Sequence, residues 1–237
     1  GGDGRRPHPS GDDDTGGLHP TLPDSAPADT SCATATASAT PVPLDIFIMQ
    51  DQSGSMKDPT GTGDTKWNAV RGAFKAFMSD PASAGLGVGL QYFGQSGLFS
   101  GGASTCDVAA YAKADVEIAA LPGVASAINT SLLLHSPFTD TPTGPALKGA
   151  LEHARAWQKT HPGHVVNVVL ATDGLPTACT PDDIPSIAAF AAAALAESPP
   201  IRTYVIGVLS ADDLSKGADA NLHQISKAGN GADAFVI

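Results

Sequence analysis

Residues 44–56 read Leu-Asp-Ile-Phe-Ile-Met-Gln-Asp-Gln-Ser-Gly-Ser-Met. The apolar run stops at Asp51, and three oxygen-bearing side chains follow at alternate positions: Asp51, Ser53 and Ser55. Gly54 lets the backbone turn between the serines. A buried strand ending in a carboxylate and two hydroxyls is building something polar at its carboxyl end, the edge where open α/β sheets bind ligands. Oxygen donors suit a hard divalent cation: Mg²⁺ first, with Ca²⁺ or Mn²⁺ as alternatives. Two neutral hydroxyls with one or two carboxylates leave such an ion under-neutralised, ready for an anionic oxygen from a partner's Asp or Glu. The same residue types also make ordinary turns.

Two further stretches have the same character. Thr141 and Thr143 stand in Asp140-Thr-Pro-Thr-Gly-Pro-Ala-Leu147, ahead of a helix pattern. Asp173 follows a strongly β-like run in Ala-Thr-Asp-Gly174. If the strands are parallel, the loops that follow them share one edge, so these side chains can gather around one ion. His161 and His164 lie in Thr-His-Pro-Gly-His without further ligands of zinc spacing, and read as a solvated loop.

The elements that must position these groups alternate along the chain. Strand patterns fall at 44–51, 86–93, 164–172, 201–208 and 234–237, with a short edge strand at 113–118. Helix patterns fall at 66–79, with Trp67, Val70, Phe74 and Phe77 on one face, and at 124–134. Another runs from Pro145 through Leu147, Ala150, Leu151, Ala154 and Trp157. Thr180-Pro-Asp-Asp183 reads as the capped start of a helix running to about 197. Shorter helices are expected at 212–217 and 221–228. The glycines at 87 and 89 suggest a close-packed helix. Strand–helix alternation implies a mainly parallel sheet covered by helices on both faces.

Residues 1–43 are different material, rich in Gly, Pro, Asp, Ser, Thr and Ala, and read as a linker. Asp12, Asp13 and Asp14 lack calcium-loop spacing, and Cys32 has no evident partner. The chain opens on Gly-Gly-Asp-Gly-Arg-Arg rather than a signal peptide, which reads as a mature or trimmed form. In all, 237 residues carry a net charge of −11, with 13 Lys and Arg against 24 Asp and Glu. That balance argues against nucleic acid or an anionic membrane surface as partner. No apolar run reaches the ~20 residues of a membrane helix. Oligomeric state is not legible.

The three oxygen-rich stretches together resemble a von Willebrand factor type A domain over 44–237. Asp51-Gln-Ser-Gly-Ser55 resembles its Asp-x-Ser-x-Ser motif, Thr141-Pro-Thr-Gly-Pro-Ala-Leu147 its threonine loop, and Ala171-Thr-Asp-Gly174 its second aspartate. The resemblance implies a three-layer, Rossmann-like, doubly wound sheet and a metal-ion-dependent adhesion site. It implies direct ligation by Ser53 and Ser55, with Thr141 binding directly or through water. Asp51 and Asp173 would hold coordinating waters. Thr143 is the alternative to Thr141. Family members often carry Gly-Gly before that threonine; here Thr139-Asp140 stand instead, and Asp140 either adds charge near the ion or alters the loop. On this topology Cys106 and Cys179 lie on the same edge and are expected to form a disulfide, which places the protein outside the cytoplasm, secreted, periplasmic or surface-bound. In a reducing compartment they would stay thiols. The alanine-rich, lysine-poor composition suggests a bacterial source.

The function expected is metal-dependent adhesion through a protein ligand bearing Asp or Glu. One competitor is a hydrolase or phosphoryl-transfer enzyme with Asp51 as nucleophile. No base or lysine is evident beside the motif, nor a Gly-x-x-x-x-Gly-Lys-Ser/Thr or Gly-x-Ser-x-Gly stretch, so no enzyme is expected. The other competitor is a structural domain that holds no metal.

Overall fold

The computed structural model describes residues 41–95 and 104–237. Most of the proposed linker, with Asp12, Asp13, Asp14 and Cys32, lies outside the described residues, as does part of the glycine-rich loop after the second strand.

Six strands form one sheet: β1 (Leu44–Asp51), β2 (Gly87–Phe93), β3 (Val116–Ala120), β4 (Val165–Thr172), β5 (Arg202–Gly207) and β6 (Phe235–Val236), in the order β3-β2-β1-β4-β5-β6. All neighbours are parallel except β2 and β3. Order reverses at β1, with β2 on one side and β4 on the other. The carboxyl ends of β1 and β4 therefore meet at the crevice such sheets use for ligands.

Period-two alternation sends successive side chains to opposite faces. Phe47 and Met49 of β1, with Val166, Val168 and Leu170 of β4, join one buried core. It is closed by α2 (Val108–Tyr111), α4 (Thr143–Thr160), α5 (Ile184–Leu195) and α7 (Ala218–Asn230). Ile48, Val88, Leu90, Tyr92 and Ala171 face the other core, closed by α1 (Lys66–Ser79) and α3 (Ala125–Leu134). The result is the three-layer, doubly wound α/β architecture expected. A short helix, α6 (Ala211–Ser215), lies between β5 and α7. On the α1 face an apolar groove of about 350 Å³ stays open between Phe74, Phe77, Ile206 and Phe235.

Several local expectations shift. In α1, Met78 rather than Phe77 completes the buried stripe with Trp67, Val70 and Phe74, because continuing the stripe from Phe74 by one helical turn leads to it. The edge strand sits two or three residues later than expected, at Val116–Ala120. The glycines of β2 admit a strand, not a helix: a Cβ on Gly89 would lie 2.6 Å from Ile118 Cγ1 of β3, and one on Gly87 2.0 Å from Asp45 Oδ1. The helix expected to start at Thr180 starts at Ile184 instead, capped by Asp183, whose carboxylate accepts from Ser186 N at 2.8 Å. Residues before it are held elsewhere, against α4: a Cβ on Gly144 would lie 2.2 Å from Pro181 O.

Asp45, at the opposite end of β1 from the site, is also buried. It accepts from Trp157 Nε1 at 2.6 Å, and His164 Nδ1 lies 2.8 Å from it. His161 stacks on Trp157 with ring centroids 3.6 Å apart. These histidines therefore brace the amino-terminal edge of the sheet, and His164 is no free solvated residue.

Candidate functional site

β1 delivers Asp51 fully buried at its last position. One carboxylate oxygen accepts from Ser53 N at 2.7 Å, and the other from Thr172 Oγ1, at the end of β4, at 2.6 Å. Asp51 thus shapes the turn that follows it and pins that turn to the neighbouring strand. The chain then enters a single 3-10 turn at Gly54–Lys57. Ser53 Oγ and Ser55 Oγ lie 3.2 Å apart, and Ser55 Oγ donates to Asp173 Oδ1 at 3.0 Å. Asp51, Ser53, Ser55 and Asp173 are therefore joined by one continuous set of contacts.

The threonine loop is stitched to both sides. Gly54 N donates to Thr139 O at 2.7 Å, and Phe138 N to Gln52 O at 2.9 Å. Thr141 N donates to Thr177 Oγ1 at 2.9 Å, while Thr177 N returns a bond to Thr141 O at 3.1 Å. Thr141 lines a cleft of about 180 Å³ with Ser55, Asp173, Thr177 and Asp213. Thr143 does not line it; its hydroxyl is buried and has no hydrogen-bond partner among the described residues. Asp140 is exposed, and its carbonyl rather than its carboxylate accepts from Ser104 Oγ, at 3.2 Å.

Cys106 and Cys179 are joined in a disulfide, with Cα atoms 5.4 Å apart. It ties the loop after β2 to the loop after β4. Cys179 adopts φ 67°, a left-handed conformation rare outside glycine.

The electrostatics set this rim apart. Burial, and then the nearby Asp173 charge, push the Asp51 carboxyl up to about 7. Asp173 is also raised, by burial above all, although hydrogen bonds from Lys66 and Ser55 pull the other way. Two buried carboxylates that resist ionisation are a place where added positive charge is favoured.

Lys66 is the residue the sequence reading missed, and it corrects the expectation that no lysine accompanies the motif. It opens α1, is fully buried, and donates to Asp173 Oδ2 at 2.8 Å. Its ammonium also lies 2.7 Å from Asp213 Oδ2. Burial pulls its pKa down, but the bonds and charges of the two aspartates outweigh that and hold it above the ordinary value. Asp213 in turn accepts from Ser210 N at 2.7 Å and Ser210 Oγ at 2.6 Å. A signal was available: a lysine in the first turn of a helix opposes the helix dipole and needs another reason to be there. Thr177 and Asp213 gave no comparable signal.

Among the described residues, no cluster of three or more His, Cys, Asp and Glu could hold a metal. A cation at this rim would have to use hydroxyl oxygens. The donors gathered here (Ser53, Ser55 and Thr141 hydroxyls, with Asp51 and Asp173 behind them) are the chemistry that suits Mg²⁺.

No family model matches this chain, and no curated protein sequence matches it. Solved structures do. The pilus adhesin SpaC from Lactobacillus rhamnosus GG matches with a TM-score of 0.57 at 18% identity, over 79% of this chain and 27% of that one. The fold is of the von Willebrand factor type A kind. This chain thus corresponds to about a quarter of SpaC's length. The SpRpn10 VWA domain also matches (TM-score 0.49, 10% identity, 82% and 86% coverage). So does a von Willebrand factor type A protein from Catenulispora acidiphila (0.44, 17%, 80% and 40%). At these identities the likeness is one of architecture. In the type A fold of this chain, the rim just described is the one formed by the carboxyl ends of β1 and β4.

Proposed function

We propose that this chain is a protein-binding module that works through a divalent cation, Mg²⁺ by preference, held by Ser53, Ser55 and Thr141. The observation that carries this reading is the meeting of Asp51, Ser53, Ser55 and Asp173 across 118 residues of sequence, with two buried carboxylates that lack a full complement of positive charge. When bound, the cation supplies that charge and a coordination position open to an outside oxygen.

The chain's own residues divide the work. Ser53 and Ser55 offer neutral oxygens on a short turn whose shape Asp51 sets. Asp173 orients the Ser55 hydroxyl. Thr177 holds the Thr141 loop at the cleft through two hydrogen bonds. Thr141 takes the ligand role over Thr143 because it lines the cleft. A partner presenting Asp or Glu fits a site whose donors are mostly neutral. Binding is favoured over catalysis because both oxygens of Asp51 are already engaged and the residue is buried, which leaves it poorly placed as a nucleophile. The match to a protein named as a pilus adhesin supports adhesion as the setting. The disulfide supports a location outside the cytoplasm, on the cell surface, in the periplasm or secreted.

The test is thermal unfolding with Mg²⁺, Mn²⁺ or Ca²⁺ and with EDTA, run beside capture of extracellular proteins under the same conditions. A ligand at a hundred times its Kd stabilises the native state by about 2.7 kcal/mol. The expected result is a metal-dependent rise in Tm and capture that EDTA reverses. No rise at millimolar metal would overturn the reading.

A further inference from the structure

Lys66 is buried beside the proposed cation site but touches none of its hydroxyl donors. It binds the one oxygen of Asp173 that Ser55 leaves free. Its other partner, Asp213, comes from α6, beyond β5, and lines the same cleft. A lysine this deep costs several kcal/mol to desolvate unless its partners are well placed, so the position calls for a reason. Helix formation does not provide one, since positive charge at a helix start is unfavourable.

The charge count provides it. Asp51, Asp173 and Asp213 surround the site with three carboxylates, and Lys66 is the single buried ammonium among them. Lys216, at the mouth of the cleft, is exposed and already paired with Asp212 at 2.5 Å. With all three carboxylates ionised, the state a bound cation favours, the group carries two negative charges, which a divalent ion brings to zero. Without Lys66 the loaded site would stay negative and repel a partner's carboxylate. Without Asp213 it would be positive, hold the cation less well and attract the carboxylate more. Like charges that are poorly solvated interact over several ångströms by amounts large enough to decide this.

We propose that buried Lys66 and partly buried Asp213 form a charge pair that sets the ligand preference of the site: Lys66 weakens cation binding while keeping the loaded site receptive to an anionic partner, and Asp213 acts in the opposite sense. This rests on the cation-dependent reading above. Lys66 acts from its bond to Asp173 and Asp213 from its bond to Lys66, and neither is among the proposed cation ligands.

The experiment uses the full chain and Mn²⁺ alone, titrated by electron paramagnetic resonance. Acetate then serves as the carboxylate probe, read from water-proton relaxation of the bound Mn²⁺. Lys66→Met should bind Mn²⁺ on the order of tenfold more tightly and respond to acetate on the order of tenfold more weakly. Asp213→Asn should shift both in the reverse direction. A purely structural role would weaken Mn²⁺ binding in both variants. If native protein binds Mn²⁺ and the two variants move its affinity the same way, or not at all, the pair does not set the preference. Should Lys66→Met fail to fold by circular dichroism, Asp213→Asn decides alone: weaker Mn²⁺ binding together with a stronger acetate response supports the pair, and any other combination overturns it. If native protein binds no Mn²⁺, the cation reading falls and this inference with it.

Discussion

Ser55 Oγ donates to Asp173 Oδ1 at 3.0 Å, joining the loop after β1 to the loop after β4. With the Thr172 Oγ1–Asp51 bond at the strand ends it ties these two loops together, while Thr141 comes from a third loop that Thr177 holds in place. Loss of the Ser55–Asp173 bond has two separable consequences. Ser55→Ala removes a hydroxyl and should cost about 1–2 kcal/mol of stability. Asp173→Ala also takes a partner from buried Lys66 and should cost about 3–5 kcal/mol. Both should abolish the metal-dependent rise in Tm. Denaturant unfolding in EDTA separates the two costs, and an equal loss in both variants would mean that Lys66 does not depend on Asp173.

The raised pKa of Asp51 has a defined sign. Its ordinary value is 3.8 and its folded value is about 7. Between the two the folded state binds more protons than the unfolded state, so stability in EDTA falls as pH rises through that window. The fall is complete above about pH 7. The cost is on the order of a few kcal/mol at most, shared with Asp173. Asp51→Asn should flatten this slope, and should raise Tm in EDTA at pH 8 relative to native. Added Mg²⁺ should act oppositely, stabilising native protein more as pH rises. Unfolding of native and variant proteins across pH 4–8 checks all three, and identical slopes would show that Asp51 is not the group responsible.

The Cys106–Cys179 bridge closes a loop of 73 residues. Chain entropy alone assigns such a closure about 4 kcal/mol. Cys106→Ser with Cys179→Ser should lower stability by about 2–5 kcal/mol and weaken Mg²⁺ binding, because the bridge anchors the segment that packs on the threonine loop. Calorimetry of the double variant, with and without Mg²⁺, measures both. Unchanged Mg²⁺ affinity would separate the bridge from the site.

Gly144 is pressed by the same segment. A methyl group there would lie 2.2 Å from Pro181 O, which is backbone and yields little. Gly144→Ala should cost about 1–3 kcal/mol, as overpacking does, and should disturb Thr141 three residues away. Gly61→Ala, where the surroundings are open, is the control and should change stability far less. Similar losses in both would point to chain flexibility rather than contact.

Much of the fold is legible in the sequence alone. β1 and β4 announce themselves by apolar runs, and α1 and α4 by their spacing, because those patterns are local consequences of period two and period 3.6. Boundaries were less legible where a distant contact competes with a local signal. Thr180-Pro-Asp-Asp183 carries every mark of a helix start, yet Pro181 is held against Gly144 and the helix waits for Asp183. Gly87 and Gly89 were legible as a close approach, but not as an approach by Ile118 of β3.

The sequence by itself determined the alternation of strands and helices, and it put hydroxyls and carboxylates just after the strands whose ends face the crevice. Only the tertiary structure decided which charges those groups would live among. Lys66 found Asp173 at a separation of 107 residues and Asp213 after β5 in the chain. Thr177 found Thr141, and the Thr143 hydroxyl has no partner among the described residues. The reason is physical. Periodicity is written into neighbouring residues, whereas a buried ion pair depends on through-space distance and desolvation, which exist only once the sheet has brought its loops together.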